Sequence, residues 1–586
     1  MSVAVESEQT PEQEKPVEPV QSGKPAWRGW RPMLGHPVRV FEPSFSGTGL
    51  TMAAWFFALS LVPSLLPRSG MVQGVVSGVT VIIGYAFGAA CQAIWEYLGI
   101  PKPRGRFRTV LVWVAVGLGI WAAVFTGWRM VGWQNELRSL YGMEPTSPTI
   151  WPTILLLTVV VAALLLVIGR SLRLLFTTVV RWLDRALPRR VAVLLGSVAL
   201  LVLAWALFSG VLVNGFFATA NNIFSTRDTL IADDMRQPQT PERSGSPQSL
   251  SAWDVLGRQG RYFVGGGPTV AELDAANGGG AKEPIRVYVG LQGADTAQGR
   301  ANLLLEELKR TGAFDRKVLV VATTTGTGFL DQNGVDPLEF AWNGDTAIAG
   351  VQYSYLPSWI SLLADQEAVK ETSRVTFDTV HQYWSTLPEA SRPKLYLYGL
   401  SLGSFGVESI LSQINIINEP IDGAFMVGPP FVNPLHATLT ADRDAGSPAW
   451  LPIYEQGRTV RFTAEQNGLD RTTGPWGPTR LVYLQHASDP IVFFNQSLAF
   501  TPPEWLEDGQ RGPDVSPRMG WFPVVTMWQV LLDLPGAGSI PMGYGHLYSA
   551  KANLEGWVGV TNPPNWTPEK TQQLATILEA RPYKDT

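Results

Sequence analysis

The sequence predicts a chain in two halves: an α-helical transmembrane bundle of five spans, then a domain built on a mostly parallel β-sheet flanked by helices. Three observations carry this. Of 586 residues, 46% are hydrophobic and only 16% charged, where soluble domains carry about a quarter charged. Five apolar segments crowd the first 220 residues. From Ile285 onward, strand-like runs alternate with helix-like runs, the pattern of βαβ units.

Residues 1–44 have no apolar run. Glu6, Glu8, Glu12, Glu14 and Glu18 lie among Pro and Gln, a composition that cannot bury a core. Residues 1–23 therefore read as a disordered tail, and they lack the basic-then-apolar order of a cleavable signal peptide. The membrane part follows over 45–220, with spans expected at Gly49–Leu66, Val72–Ile94, Thr109–Trp128, Ile150–Ile168 and Val191–Phe217. Each approaches or exceeds the ~18–20 residues that cross a hydrocarbon core. None carries a charge in its interior, so they read as a platform rather than an ion path. Gly74–Gly78 and Gly84–Gly88 are small-xxx-small pairs suited to close helix packing within the chain.

Basic residues set the expected orientation. Lys24, Arg28, Arg31 and Arg39 precede the first span. Lys102, Arg104, Arg106 and Arg108 follow the second, and Arg170, Arg173, Arg181, Arg185, Arg189 and Arg190 follow the fourth. The alternate loops hold only Arg68, and Arg129 with Arg138. This predicts a multi-pass protein of the cell membrane with a cytoplasmic N-terminus and everything after Phe217 outside the cytoplasm. Residues 221–283, punctuated by Gly265-Gly-Gly-Pro and Gly278-Gly-Gly, read as a juxtamembrane connector.

The second half, 284–586, offers strands at Ile285–Leu291, Lys317–Thr323, Lys394–Tyr398, Gly423–Val427 and Leu481–His486. Helical runs are expected at Ala301–Arg310, Ile360–Trp384 and Leu402–Ile414. The strands show little period-two alternation, as expected when both faces are buried. Residues 431–480 read as a long insertion that either caps a pocket or decorates the surface.

Composition excludes several chemistries. A net charge of −4 argues against a nucleic-acid binder. The one cysteine, Cys91, forbids an intramolecular disulfide and a thiolate-rich metal site, and five histidines are too few for a histidine-rich cage. No metal and no other cofactor is expected.

One motif carries chemistry. Gly399-Leu400-Ser401-Leu402-Gly403 is G-x-S-x-G, directly after a strand and opening a helix. That is the setting of a nucleophile elbow, in which a sharp turn holds the serine Oγ clear of the sheet. The chain order Ser, acid, His then narrows the partners. Only His436, His486 and His546 follow Ser401. Asp489 lies just past the strand Leu481–His486, and only His546, in Gly543-Tyr-Gly-His-Leu-Tyr, follows Asp489. The expected catalytic set is thus Ser401, Asp489 and His546. Asp508, Asp514 and Asp533 are rival acids, and His436 and His486 read as structural or pocket-lining. Oxyanion donors are expected at the Leu402 N–H and in the loop after the first strand, at Leu291 or Gln292. Thr323-Thr-Thr-Gly-Thr-Gly follows the next strand and is a second loop that could border the pocket; it lacks the Gly-Lys-Ser/Thr ending of a phosphate loop.

Here the chain resembles a known group. Arg392-Pro-Lys-Leu-Tyr-Leu-Tyr-Gly-Leu-Ser-Leu-Gly-Ser, Gln352-Tyr-Ser-Tyr-Leu-Pro-Ser-Trp, Asp442-Arg-Asp-Ala-Gly-Ser-Pro and Tyr483-Leu-Gln-His-Ala-Ser-Asp-Pro-Ile-Val are similar to stretches of a membrane-anchored α/β-hydrolase family of actinobacterial and proteobacterial type. The resemblance spans about residues 45–580. It implies an α/β-hydrolase fold with a serine nucleophile at Ser401, and it supplies no substrate. Leu400 stands where many members carry a polar or acidic residue.

The function expected is a membrane-anchored, extracytoplasmic serine hydrolase acting on lipid or envelope acyl esters, since a tethered domain favours substrates that live at the membrane. Trp342, Trp359, Trp450 and Trp505 are candidates to line an acyl site. Two alternatives stand beside it: an acyltransferase using the same acyl-enzyme, and a membrane scaffold whose hydrolase fold binds without catalysis.

Overall fold

The computed structural model of the chain describes residues 45–101, 105–206, 213–231, 235–413, 415–472 and 474–583. The tail expected over 1–44, with its basic residues, lies outside them, as do Lys102 and Arg104.

The apolar half forms helices α1 (Gly47–Ser60), α2 (Gly70–Tyr97), α3 (Gly105–Leu140), α4 (Trp151–Leu183), α5 (Arg189–Ala206) and α6 (Val213–Thr229). Among the described residues three helices are long and apolar enough to cross a membrane: Gly70–Tyr97, Thr109–Leu140 and Pro148–Leu183. These three correspond to the second, third and fourth expected spans. The first segment folds as only the 14 residues of α1, about 21 Å of helix against a core of ~30 Å. Pro63 and Pro67 lack the amide donors that would continue it. The chain instead runs irregularly to Ser69, whose hydroxyl caps α2 by accepting from Val72 N–H. Of the last expected span, α5 and the start of α6 are described, and 207–212 lie outside the described residues.

The glycine pairs of α2 face partners within the chain. A Cβ at Gly74 or Gly78 would lie 2.7 Å from Leu157 or Val161 of α4, and one at Gly84 or Gly88 would fall 2.6 or 2.5 Å from Phe56 or Thr48 of α1. Outward faces of α3 and α4 carry exposed Trp113, Trp121, Leu156 and Val159.

The chain then forms α7 (Gly257–Gly265) and α8 (Val270–Asn277) before entering a seven-stranded sheet. Its strands are β1 (Ile285–Val289), β2 (Val318–Thr323), β3 (Thr346–Val351), β4 (Lys394–Leu400), β5 (Gly423–Val427), β6 (Val460–Thr463) and β7 (Arg480–Leu484). The order is β1-β3-β2-β4-β5-β7-β6, and every pairing is parallel. Helices α9 (Ala297–Arg310), α10 (Gln332–Ala341), α11 (Ser358–Ala364), α12 (Gln366–Trp384) and α13 (Leu402–Leu411) follow their strands. One face packs Leu304, Phe377 and Val407 of α9, α12 and α13. The other packs Phe263 of α7, Leu338 of α10, and Trp557 of the later helix Ala550–Thr561. Alternate residues of β1 feed opposite cores, Val287 one and Tyr288 the other. That is why its run shows no polar alternation.

Two strands were not expected. β3 is the short, mixed Thr-Ala-Ile-Ala-Gly-Val. β6 lies within 431–480, so that segment supplies an edge strand rather than a cap.

The connector is built into the sheet domain. Arg286, buried in β1, donates to Asp336 and Glu339 of α10, each at 2.6 Å, and to the Phe263 carbonyl at 2.8 Å. Its single charge faces two carboxylates, with Arg581 3.5 Å from Asp336 as a second cation, and its bond to Phe263 ties α7 to the sheet. The apolar half also docks here. Arg68, between α1 and α2, pairs with Asp533 at 2.7 Å, both nearly fully buried. Tyr141, just past α3, donates to the Leu65 carbonyl at 2.7 Å and packs its ring 4.5 Å from that of Tyr544.

Candidate functional site

Ser401 sits between β4 and α13 with φ 53° and ψ −126°, a conformation costing about 1–3 kcal/mol for a side chain with a Cβ. Its surroundings hold it there. The Ser401 N–H donates to the Val427 carbonyl of β5 at 2.8 Å, and its own carbonyl accepts from Ser404 N–H at 2.8 Å. The two motif glycines permit the turn: a Cβ at Gly399 would lie 2.3 Å from the Gly403 backbone, and one at Gly403 2.4 Å from the Thr323 carbonyl. Leu402 and Gly403 open α13, where helix N–H groups have no intrahelical acceptor.

Asp489 follows β7 and caps the short helix Pro490–Phe493 through Ile491 N–H at 2.8 Å. Its other oxygen, Oδ2, accepts from His546 Nδ1 and from the Tyr548 hydroxyl, both at 2.6 Å. Burial opposes its charge, but the imidazole and these donors outweigh burial and hold the carboxyl below its usual range. An ionised carboxylate only accepts, so the His546 proton sits on Nδ1 and the Nε2 lone pair is left free to accept. Nε2 is buried with no hydrogen-bond partner among the described residues.

The His546 loop is held on several sides. His546 N–H donates to the Ala537 carbonyl at 3.1 Å, and Gly545 N–H to Ser488 Oγ at 3.0 Å. His486 Nδ1 meets the Gly545 carbonyl at 2.9 Å, and its ring stacks on Tyr548 at 4.4 Å. His486 is thus a strut of this loop. His436, buried against Gln485 Oε1 at 2.6 Å, has its pKa pushed down by burial to about 4. The rival acids are otherwise employed. Asp514 accepts from Ser488 N–H and Oγ, Asp533 pairs with Arg68, and Asp508 is exposed.

Ser401 and His546 line one cavity of about 390 Å3. Thr325, Thr327 and Asp331 from the turn after β2 border it, as do Phe224, Arg227 and Asp228 of α6, and Arg258 and Gln259 of α7. Leu291 and Gln292 do not, which corrects the expected oxyanion loop. β3 and β2 stand between β1 and β4, roughly 14 Å of sheet at ~4.8 Å per strand. The Leu291 N–H is already given to Gln352 Oε1 at 3.0 Å. β2 adjoins β4, so the Thr323–Gly328 turn is the one that reaches Ser401. Its Thr325 hydroxyl is buried without a partner among the described residues. None of Trp342, Trp359, Trp450 and Trp505 lines the cavity, nor does any residue of 431–480.

Sequence reasoning missed Tyr548, two residues past His546 in the quoted loop, and Asp331, the N-cap of α10. Burial pushes the Asp331 carboxyl up to about 7. Above the ordinary carboxyl range of ~4 the unfolded chain has lost a proton that the folded chain keeps. Stability therefore falls as pH rises from ~4 to about 7 and is level beyond. Asp331→Asn should remove this part. Melting temperature followed from pH 5 to 8 should drop less in the variant than in the wild type, and a pH-independent difference would acquit Asp331.

Comparison with known proteins agrees with this architecture. Residues 285–574 match the alpha/beta-hydrolase family, and residues 61–268 match the alpha/beta-hydrolase family N-terminus. The chain belongs to the α/β-hydrolase family. No curated protein and no solved structure matches it.

Proposed function

We propose that this protein is a membrane-anchored serine hydrolase that cleaves acyl esters at the extracytoplasmic face of the membrane. One observation carries the reading: a serine at a strained strand-to-helix turn shares a cavity with an imidazole whose Nδ1 is tied to a buried carboxylate and whose Nε2 has no hydrogen-bond partner among the described residues.

In this reading Ser401 Oγ attacks the acyl carbon while His546 Nε2 takes its proton. Asp489 keeps the imidazole in the accepting tautomer and stabilises the imidazolium. The alkoxide leaves with that proton, and water, deprotonated in turn by His546, releases the acid. The oxyanion is held by Leu402 N–H and by the Thr325 hydroxyl, which replaces the donor first sought at Leu291 or Gln292. Loss of one such donor costs about 10²–10³ in kcat. Purified protein should therefore turn over acyl esters, with Thr325→Val slower by that factor and Thr325→Ser close to wild type. Equal kcat in Thr325→Val would remove Thr325 from the mechanism, and no ester turnover at all would sink the hydrolase.

The orientation has structural support. The sheet domain docks on the α1–α2 and α3–α4 loops through Arg68 and Tyr141. Arg181, Arg185, Arg189 and Arg190 lie at the far end of α4, the end that the positive-inside rule assigns to the cytoplasm. A reporter fused after Arg190 should behave as cytoplasmic, and one fused near Arg243 as extracytoplasmic. Cytoplasmic behaviour at Arg243 would move the enzyme to the inner leaflet.

A further inference from the structure

The cavity is shared unequally between chemistry and charge. Ser401, His546 and Thr325 are among its lining residues. The rest of the wall includes α6 and α7, which bring two guanidiniums, Arg227 and Arg258. Nothing in ester hydrolysis by Ser401 requires them.

We infer that the ester attacked by Ser401 belongs to a glycerophospholipid drawn from the bilayer, its phosphate held by Arg227 and Arg258. This rests on the proposed serine-hydrolase reading and names the substrate class.

The charges point this way. Arg258 Nε is buried and has no hydrogen-bond partner among the described residues. The guanidinium lies 5.2 Å over the Tyr262 ring, and its Nη2 donates to the Tyr262 hydroxyl at 3.3 Å. It is thus oriented by an aromatic face and still has donors to give. Arg227 is exposed at the cavity and makes no ion pair with a described residue. Two carboxylates also face the cavity and must be weighed. Asp228 accepts from Arg258 backbone N–H at 2.9 Å and from Gln352 Nε2 at 3.3 Å. Burial pushes the Asp228 carboxyl up from its ordinary range, and nearby Arg261, which does not line the cavity and donates to the Asp228 backbone carbonyl, opposes that with its charge. Asp331 is buried and titrates near neutrality. Asp228 shares its charge with Arg258 as well as Arg261, while Arg227 makes no ion pair with a described residue and Arg258 keeps an unpartnered Nε among the described residues. A guanidinium matches a phosphate oxygen pair in shape as well as in charge.

The placement of α6 gives the source. Phe217, Ala220 and Phe224 recur at spacings of three and four and pack on Leu356 and Ile360 at the start of α11. Phe224 then enters the cavity wall, so the wall continues into the apolar half of the chain. Trp359 of α11, 58% exposed, stands beside the lining residue Ser358, as aromatic side chains do at headgroup level. At about 390 Å3 the cavity is at the small end for a ligand pocket. It has room for an ester and a phosphate, while acyl chains extend along the α6–α11 seam. The reaction balances as hydrolysis: the acyl C–O bond to glycerol breaks, the glycerol oxygen takes the proton from His546, and water completes release of a fatty acid and a lysophospholipid.

The test uses the full chain in mixed micelles, with phosphatidylglycerol and diacylglycerol of identical acyl chains. The ratio of their kcat/KM values should favour the phospholipid, and it should fall about tenfold or more in Arg227→Gln/Arg258→Gln. Glycerol 3-phosphate should slow fluorophosphonate labelling of the wild type and have less effect on the double variant. Labelling itself reports on the folded site. Labelling with neither phospholipid preference nor competition by glycerol 3-phosphate, or a ratio unchanged by the double variant, overturns the phosphate assignment alone. Competition by glycerol 3-phosphate without phospholipid preference overturns the lipid source. Absence of both labelling and ester turnover overturns the hydrolase reading beneath it.

Discussion

A fluorophosphonate probe added to the purified protein should attach at Ser401, and attachment should vanish in Ser401→Ala. The probe offers a phosphorus in place of the acyl carbon and is held after one attack, so it reads the nucleophile without knowledge of the substrate. An ordinary serine hydroxyl is too weak to react, and two features set Ser401 apart. Its backbone at φ 53° lifts it from the sheet, at a cost that Gly399, Gly403 and the Val427 carbonyl sustain. The neighbouring imidazole presents an Nε2 with no partner among the described residues, because Asp489 holds Nδ1 at 2.6 Å. His546→Ala should slow labelling by about 10²–10⁴-fold, the usual worth of a positioned base. Asp489→Asn should keep the fold yet slow turnover by about 10⁴-fold, because the amide can turn its NH2 toward Nδ1 and favour the wrong tautomer. Probe on another serine, or full labelling in His546→Ala, would remove the assignment.

These expectations were legible in the chain because they rest on local order. A strand, a sharp glycine turn and a helix are consecutive in Lys394–Leu411, so the elbow shows in the sequence. Asp489 was legible because it ends an apolar strand, and His546 because only one histidine follows it. What escaped depends on strands adjacent in space but not in sequence. The donor loop was sought after β1 because β1 comes first in the chain; β2 is the strand beside β4. β3 escaped because Thr-Ala-Ile-Ala-Gly-Val is short and half Ala and Gly, a weak strand signal. The first apolar segment was read by its length and lack of charge, while its two prolines decide where the helix ends. The cavity wall supplied by α6 and α7 left no local signature at all. Arg227 and Arg258 share a cavity with Ser401 only in the folded chain, where the connector packs over the sheet.

The same dependence on distant partners makes the joint between the two halves a sensitive place. Asp533→Ala should lower stability by about 3–5 kcal/mol, the usual cost of leaving one member of a buried pair uncompensated. Arg68 and Asp533 are each nearly inaccessible, 1% exposed in their side chains, so solvent does not screen the loss. Arg68 Nη2 also donates to the Gln529 carbonyl at 3.0 Å, and Gln529 Nε2 reaches back to the Val62 carbonyl at 3.0 Å. The pair thus ends a lattice joining Leu61–Arg68 to the helix Val525–Asp533. That helix leads within four residues to Ala537, whose carbonyl holds His546 N–H. Loosening the joint should therefore reach the base. Asp533→Ala should both melt earlier in detergent and label more slowly at Ser401, at a temperature where it is still folded. Replacing both partners, Arg68→Met with Asp533→Leu, removes the unpaired charge and should restore most of the lost stability. A single variant as stable as the wild type would mean that the two halves are held by the apolar contacts of Leu65, Leu66 and Tyr141 alone. A stable double variant that still labels slowly would instead show that Arg68 positions the His546 loop.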